Sequence, residues 1–193
     1  IKFENLIKIK KFANNAELID SASELLKSNK IIAWFQLSSE WGPRALGCRS
    51  ILANPSTKNV VEEINVALKK RESFRPFAPS ICKDDYSKYF EENFDCSFMN
   101  YVVKVKKDVW DKIPGVVHVD GTSRAHSVLK NDNELFYELI KMFKKKTGTA
   151  CLLNTSFNID EPICESIEDA INTFLRSNLE FLYLNKNLII KNK

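Results

Sequence analysis

Only two histidines, His118 and His126, occur in the 193 residues. With no HExxH and no CxxC, the chain shows no zinc motif, and no metal ligands are expected in it. The five cysteines, at 48, 82, 96, 151 and 164, are odd in number, and three lie in or directly beside apolar runs. That does not support a disulfide framework and favours reduced, buried thiols in a cytoplasmic protein. No apolar run approaches the roughly 18 residues of a membrane span. No basic, apolar, small-residue signal opens the chain, which begins at Ile1 rather than Met, as a fragment or processed piece would. There is no GxxxxGK[ST] and no GxGxxG, so P-loop and Rossmann readings lack their marker.

Glycine and arginine are scarce too. The chain has five Gly, and six Arg against 23 Lys, for a net charge of +4. That balance is too mild to imply nucleic acid by itself. Lysine serves wherever a flexible cation will do, whereas arginine suits sites where a planar fork meets carboxylate or phosphate. Two of the glycines and two of the arginines fall within "EWGPRALGCRS" (40–50). Five of the six arginines form three groups: 44 and 49, 71 and 75, and 124.

What is present fits one ordered α/β domain spanning 1–193, with a mixed, twisted sheet flanked by helices. The spacing of Leu18, Ala22, Leu25 and Leu26 predicts a helix over 15–28, and "IIAWF" (31–35) a strand buried on both faces. Val60, Ile64 and Leu68 mark a helix ending near Lys69. The two prolines of "RPFAPS" (75–80) require extended backbone. "FMNYVVKV" (98–105), "GVVHV" (115–119) and "ACLL" (150–153) read as strands. Asn131 with Glu134 resembles a capping box before a helix that stops at Gly148, and Ser166 with Asp169 caps another. "FLYL" and "LII" close the chain as two short strands.

Four stretches carry candidate chemistry. In "GPRALG", Pro43 stiffens a turn and two glycines permit close backbone approach, so Arg44 projects either as a rigid phosphate contact or into solvent. "LKKRESFRPFAPS" (68–80) gathers Lys69, Lys70, Arg71 and Arg75. The first three are also what a helix C-terminus favours, and Glu72 is a candidate partner for Arg71. Arg75, between Phe74 and Pro76, needs a partner of its own, protein or ligand. "HVDGTSR" (118–124) places hydroxyls and backbone N–H groups beside Arg124, as an anion nest or simply an Asp-Gly turn. His118 is a ligand contact or a structural strand-end residue, and His126 is read the same way with less behind it. "LNTSFN" (153–158) offers Asn154 and Ser156 after a buried strand. Such groups also satisfy local backbone. Glu161 can hold an arginine or, through water, a metal. Cations and neutral donors at several strand ends, with few opposing carboxylates, suit a ligand with two anionic parts.

"EWGPRALGCRSILANP", "KKRESFRPFAPSI", "HVDGTSR" and "LLNTSFNIDEPICESIEDAINTFL" together resemble the C-terminal domain of the NodU/CmcH-type O-carbamoyltransferases, in order, from about residue 31 to 188. The resemblance implies a YrdC-like fold that binds ATP, with its Mg²⁺, and carbamoyl phosphate, and forms a carbamoyl-adenylate. It also implies a partner, an N-terminal actin-like domain with its own metal, which moves the carbamoyl group to a hydroxyl acceptor. Carried over by motif, Arg44, Lys69, Arg71, Arg75 and Arg124 hold phosphates and the carbamoyl group. Lys69, Arg75 and Arg124 are the catalytic candidates among them, with His118 nearby and Asn154 and Ser156 at the adenylate pocket. Many members carry Gly-Arg where this chain has Leu37 and Ser38, and Asn where Cys48 stands. Two other readings compete. One is an RNA- or nucleotide-binding module of the same fold, which the few aromatics among the cations argue against. The other is a degenerate structural domain.

Overall fold

Residue alternation along one short strand sets the layout of the whole molecule. In Ile32–Phe35, Ile32 and Trp34 pack into one core while Ala33 and Phe35 pack into another, all four being buried. A central strand therefore separates two apolar layers, as an α/β sheet requires. The structure is a computed structural model that describes residues 7–192. The ends of the span expected for the domain, 1–6 and 193, lie outside the described residues.

In chain order the elements are β1 (Ile7–Lys11), α1 (Asn15–Lys27), β2 (Ile32–Phe35), β3 (Arg49–Ala53), α2 (Asn59–Glu62), β4 (Ala78–Cys82), α3 (Lys83–Tyr89), β5 (Val103–Lys104), β6 (Thr122–Ser123), β7 (His126–Val128), α4 (Glu134–Thr147), β8 (Cys151–Ser156), α5 (Ile167–Arg176), β9 (Phe181–Leu184) and β10 (Asn187–Lys191). Eight strands form one sheet in the order β1-β10-β9-β2-β3-β8-β4-β7, while β5 and β6 pair separately. The β2–β9 and β4–β7 pairs are parallel and the other pairs of the large sheet antiparallel, so the sheet is mixed as expected. On one face α1 and α4 pack together, burying Leu18, Ala22 and Leu26 with Phe136, Leu139 and Phe143. The other face is covered by Val60, Ile64 and Leu68, by Tyr86 and Phe90, and by Ala170 and Phe174.

Several expected element ends hold. Ser166 and Asp169 form a reciprocal capping box on α5, and Gly148 ends α4 in the left-handed region at φ 81°. Others shift. The cap of α4 is Asn133, not Asn131: its side chain accepts from the Phe136 N–H at 3.0 Å. "GVVHV" is not a strand. Pro114 opens a 3₁₀ turn, Pro114–Val116, and Gly115 N–H donates to the Pro55 carbonyl at 2.9 Å, so this backbone is spent on a crossing loop. Of 98–105 only Val103–Lys104 forms a named strand, because Asp95 caps the Ser97 turn and Met99 sits at φ 54°. The helix after Ser56 widens at Glu63–Leu68 into a π-helix, with Lys69 N–H reaching the Ile64 carbonyl. Finally, β8 continues past "ACLL" through Asn154, Thr155 and Ser156, which therefore stand on a strand rather than after one.

The five cysteines are free thiols, four of them buried, as expected. No helix among the described residues is long and apolar enough to cross a membrane.

Candidate functional site

The loop between β2 and β3 is organised by Glu40. Its carboxylate accepts the N–H groups of Leu46 and Cys48, both at 2.6 Å, and of Arg49 at 3.2 Å. Burial raises the Glu40 pKa against the opposing pull of these bonds. Gly47, at φ 102°, lies against Phe136 so closely that a Cβ there would sit 2.2 Å from the ring. The two arginines of the loop have different jobs. Arg49 is buried over the Phe35 ring at 3.6 Å and donates to the carbonyls of Gln36 and Leu37, at 2.7 and 3.2 Å. It is a structural clamp. Arg44 is half-buried and projects from the loop that Glu40 holds. Leu37 adopts φ 54°, a left-handed conformation that glycine takes without strain.

The π-helical turn sets the second cation group. It buries Asn65, whose amide donates to the carbonyls of Ser73 and Arg75 and whose oxygen accepts from Arg71 Nε at 2.7 Å. Lys69 is turned inward, 5% exposed. Its Nζ donates to the Ser156 carbonyl at 2.6 Å, the Asn158 Oδ1 at 2.7 Å and the Ser156 hydroxyl at 3.3 Å. Burial, followed by the charge of Arg71, pushes its pKa down to about 7. Arg75 is exposed and pairs with Glu72 at 2.7 Å. Glu72 was expected to hold Arg71, but Asn65 takes that role and Glu72 serves Arg75.

In "HVDGTSR" the expected nest is filled from within. Asp120 accepts the Thr122 N–H at 3.0 Å and the Thr122 hydroxyl at 2.7 Å, and the Ser123 hydroxyl donates to the Val116 carbonyl at 2.7 Å. What this turn leaves for a ligand is Arg124, half-buried, whose Nε has no hydrogen-bond partner among the described residues. Burial, then the neighbouring charge of Arg44, lowers its pKa. His118 is half-buried with its Nδ1 3.2 Å from the Thr122 hydroxyl, and burial lowers its pKa. Glu161 holds an arginine: its carboxylate pairs with Arg176 at 3.0 Å and accepts from Thr173.

Two adjoining spaces result. A small cavity of about 120 Å³ is lined by Arg44, Arg71, Arg124, Asn154 and Ser156, together with Thr155, Met99 and apolar wall residues. Five of the eight sequence candidates meet here, drawn from three loops and one strand. Its lining holds no carboxylate. A larger groove of about 620 Å³ shares the Pro76 and Phe77 wall and is lined by Arg75, His118, Phe74 and Trp110. Lys69 is not among the residues that line either space. It stands behind Ser156. No group of three or more His, Cys, Asp or Glu side chains able to hold a metal occurs among the described residues. The sequence reading missed Glu40 and Asn65, which fix Arg44 and Arg71, and Asn158, which holds Lys69. An acid or amide inside a loop motif or a helix carries no periodicity that would reveal it.

The family described as carbamoyltransferase C-terminus matches residues 23–191. Nodulation protein NolNO of Sinorhizobium fredii is 43% identical over 179 residues, covering 91% of this chain and 26% of that protein. Nodulation protein NolO of Bradyrhizobium diazoefficiens is 42% identical, with 91% and 33% covered. A 3'-hydroxymethylcephem-O-carbamoyltransferase of Amycolatopsis lactamdurans is 35% identical over 73% of this chain and 26% of its own length. The chain thus spans between 26% and 33% of the length of these curated relatives. Among solved structures, P. abyssi Sua5 (H234A/Y235A) aligns with a TM-score of 0.60 at 16% identity, covering 90% of this chain and 49% of that one. Full-length HypF in the phosphate- and nucleotide-bound form aligns at 0.57 and 18%, covering 96% and 22%. At these identities the likeness is one of fold, and it is the YrdC-like fold that the sequence motifs implied.

Proposed function

The chain belongs to the carbamoyltransferase C-terminal family, and from that premise we propose that it binds carbamoyl phosphate and ATP and joins the carbamoyl group to AMP. Overall, carbamoyl phosphate, ATP and water become carbamoyl-adenylate, pyrophosphate and phosphate. The bonds broken are the carbamoyl–phosphate anhydride, cleaved by the water to carbamate and phosphate, and the α–β linkage of ATP, from which a carbamate oxygen displaces pyrophosphate. Transfer of the carbamoyl group to a hydroxyl acceptor falls to the part of the relatives that this chain does not span, an N-terminal actin-like domain.

The observation that carries this reading is the cavity in which Arg44, Arg71 and Arg124 converge with no carboxylate among them. Guanidinium groups gathered in a cavity whose lining holds no carboxylate are stabilised by an anion, and a planar fork suits phosphate. The adjoining groove, walled by Phe74, Pro76, Phe77 and Trp110, offers an apolar bed for a nucleoside. Arg75 and His118 would then face the nucleotide rather than the carbamoyl group. Fixed cations around a reaction that gathers several negative charges lower its barrier by alignment and neutralisation. Lys69, held by Ser156 and Asn158, adds positive potential from behind the strand end. Because the cavity presents no acidic side chain, Mg²⁺ would be carried by the triphosphate itself.

Exchange of labelled pyrophosphate into ATP tests the reading with the full polypeptide. Exchange that requires carbamoyl phosphate supports it. Absence of exchange, together with absence of ATP binding, would leave a structural domain in its place.

A further inference from the structure

Asn154 stands in the middle of β8, 2% exposed, and lines the cationic cavity. Its Nδ2 donates to the Ala45 carbonyl at 3.0 Å and to the Ser80 hydroxyl at 2.9 Å. The Ala45 carbonyl can only accept, so it fixes which end of the amide carries the hydrogens. Ser80 has one hydrogen to give. Its oxygen lies 2.8 Å from His126 Nδ1 and accepts from Asn154, so toward the imidazole it either donates that hydrogen or, with its second lone pair, accepts from a protonated Nδ1. His126 is buried and neutral, its pKa held down to about 3 by burial, so one of its ring nitrogens donates and the other accepts. In either tautomer of His126 the Asn154 amide keeps the same orientation, set by the Ala45 carbonyl. That orientation leaves the Asn154 Oδ1 as an acceptor with no partner among the described residues.

A buried acceptor without a donor is uncommon and calls for an explanation. Asn154 lines a cavity whose charged side chains, Arg44, Arg71 and Arg124, only donate. A simple oxyanion would satisfy the guanidinium groups and leave Oδ1 unpaired. A ligand that couples an anionic group to an N–H donor satisfies both. Resting on the function proposed above, we infer that Asn154 Oδ1 accepts a hydrogen bond from the carbamoyl NH₂, and that Ser80 and His126 position the amide for it. Asn154 is thereby the residue that selects a carbamoyl group over an acyl group of the same size. Acetyl phosphate, with a methyl in place of the amide, would leave the acceptor buried and unpaired. Sites built around a hydrogen bond reject analogues that lack it.

The test is competitive binding of carbamoyl phosphate and acetyl phosphate to the full polypeptide, with ATP binding measured alongside. We expect carbamoyl phosphate to bind about tenfold or more tightly than acetyl phosphate. Asn154→Leu is expected to bring the two affinities within about twofold. Ser80→Ala is expected to narrow the preference several-fold, and Ser80→Thr, which keeps the hydroxyl, to restore it. Should Asn154→Leu not fold, the unsubstituted protein and the Ser80 pair decide. Equal affinity for the two phosphates in the unsubstituted protein, or an undiminished preference in folded Asn154→Leu or Ser80→Ala, would overturn the inference and leave the proposed function standing. Binding of neither phosphate would overturn both.

Discussion

The small cavity and the larger groove share a wall but are built on opposite plans. Every cation that lines the cavity is backed by something rigid. The Arg44 loop hangs from Glu40, Arg71 is gripped by Asn65, and Arg124 leaves a turn that Asp120 has closed. Among the described residues none of the three is paired with a carboxylate. In the groove Arg75 is exposed and already paired with Glu72 at 2.7 Å, and His118 leans on Thr122. An arginine that is half-buried and unpaired is poised for an anion, whereas one that is exposed and paired gains little from a new partner. The contrast supports placing the reacting anion of the proposed function in the cavity, with the groove in a supporting role.

The sharpest way to break the comparison is to blunt one arginine on each side. Arg124→Lys keeps the charge and loses the fork, and we expect carbamoyl-phosphate-dependent pyrophosphate exchange to fall by about 100-fold or more. Arg75→Lys should cost less than about 10-fold, because its charge is screened and shared with Glu72. Equal losses in steady-state exchange would erase the distinction. The cavity's rigidity can be attacked next. Gly47→Ala forces a Cβ into the Phe136 ring at a left-handed φ. A loss of roughly 3 kcal/mol of folding stability is expected in denaturant titration.

A smaller effect follows from the neutral His126 beneath Asn154. Its folded pKa is about 3, whereas an unfolded imidazole titrates near about 6.5. Between those values the unfolded chain binds more protons, so stability falls as the pH falls. Lowering the pH from 7 to 5 should remove about 2 kcal/mol through this group. Urea titrations at both pH values should show that slope, and His126→Gln should flatten it. The smallest effect concerns the loop end. Leu37 is exposed at φ 54°, and Leu37→Gly should raise thermal stability by roughly 0.5 kcal/mol, as relief of strain outweighs the added chain entropy.

The layout of the sheet was readable wherever apolar residues alternated or ran together, as at 31–35, 150–153 and the closing hairpin. It was hidden where charge masked a strand: β1 reads IKIKK, and only its antiparallel pairing with β10 makes it one. β3 begins at Arg49, whose burial over Phe35 no periodicity announces. The arginines of the cavity stood out because the chain uses so few. The groups that position them did not. Asn65 acts through a π-helical turn, and Ser80 and His126 meet only because β4 and β7 lie side by side in register. Contacts made by strand pairing across 46 residues leave no local trace in the sequence. For Arg75 the apolar, proline-flanked setting called for a partner, protein or ligand, and Glu72, three residues away, supplies a protein one.

The most direct measurement is a crystal structure of the protein grown with carbamoyl phosphate and a non-hydrolysable ATP analogue. We expect the phosphate of the carbamoyl ligand among Arg44, Arg71 and Arg124, its NH₂ within hydrogen-bond distance of Asn154 Oδ1, and the nucleoside along Phe74 and Trp110. Carbamoyl phosphate seated in the groove against Arg75, with the arginine cavity left to solvent, would contradict the account.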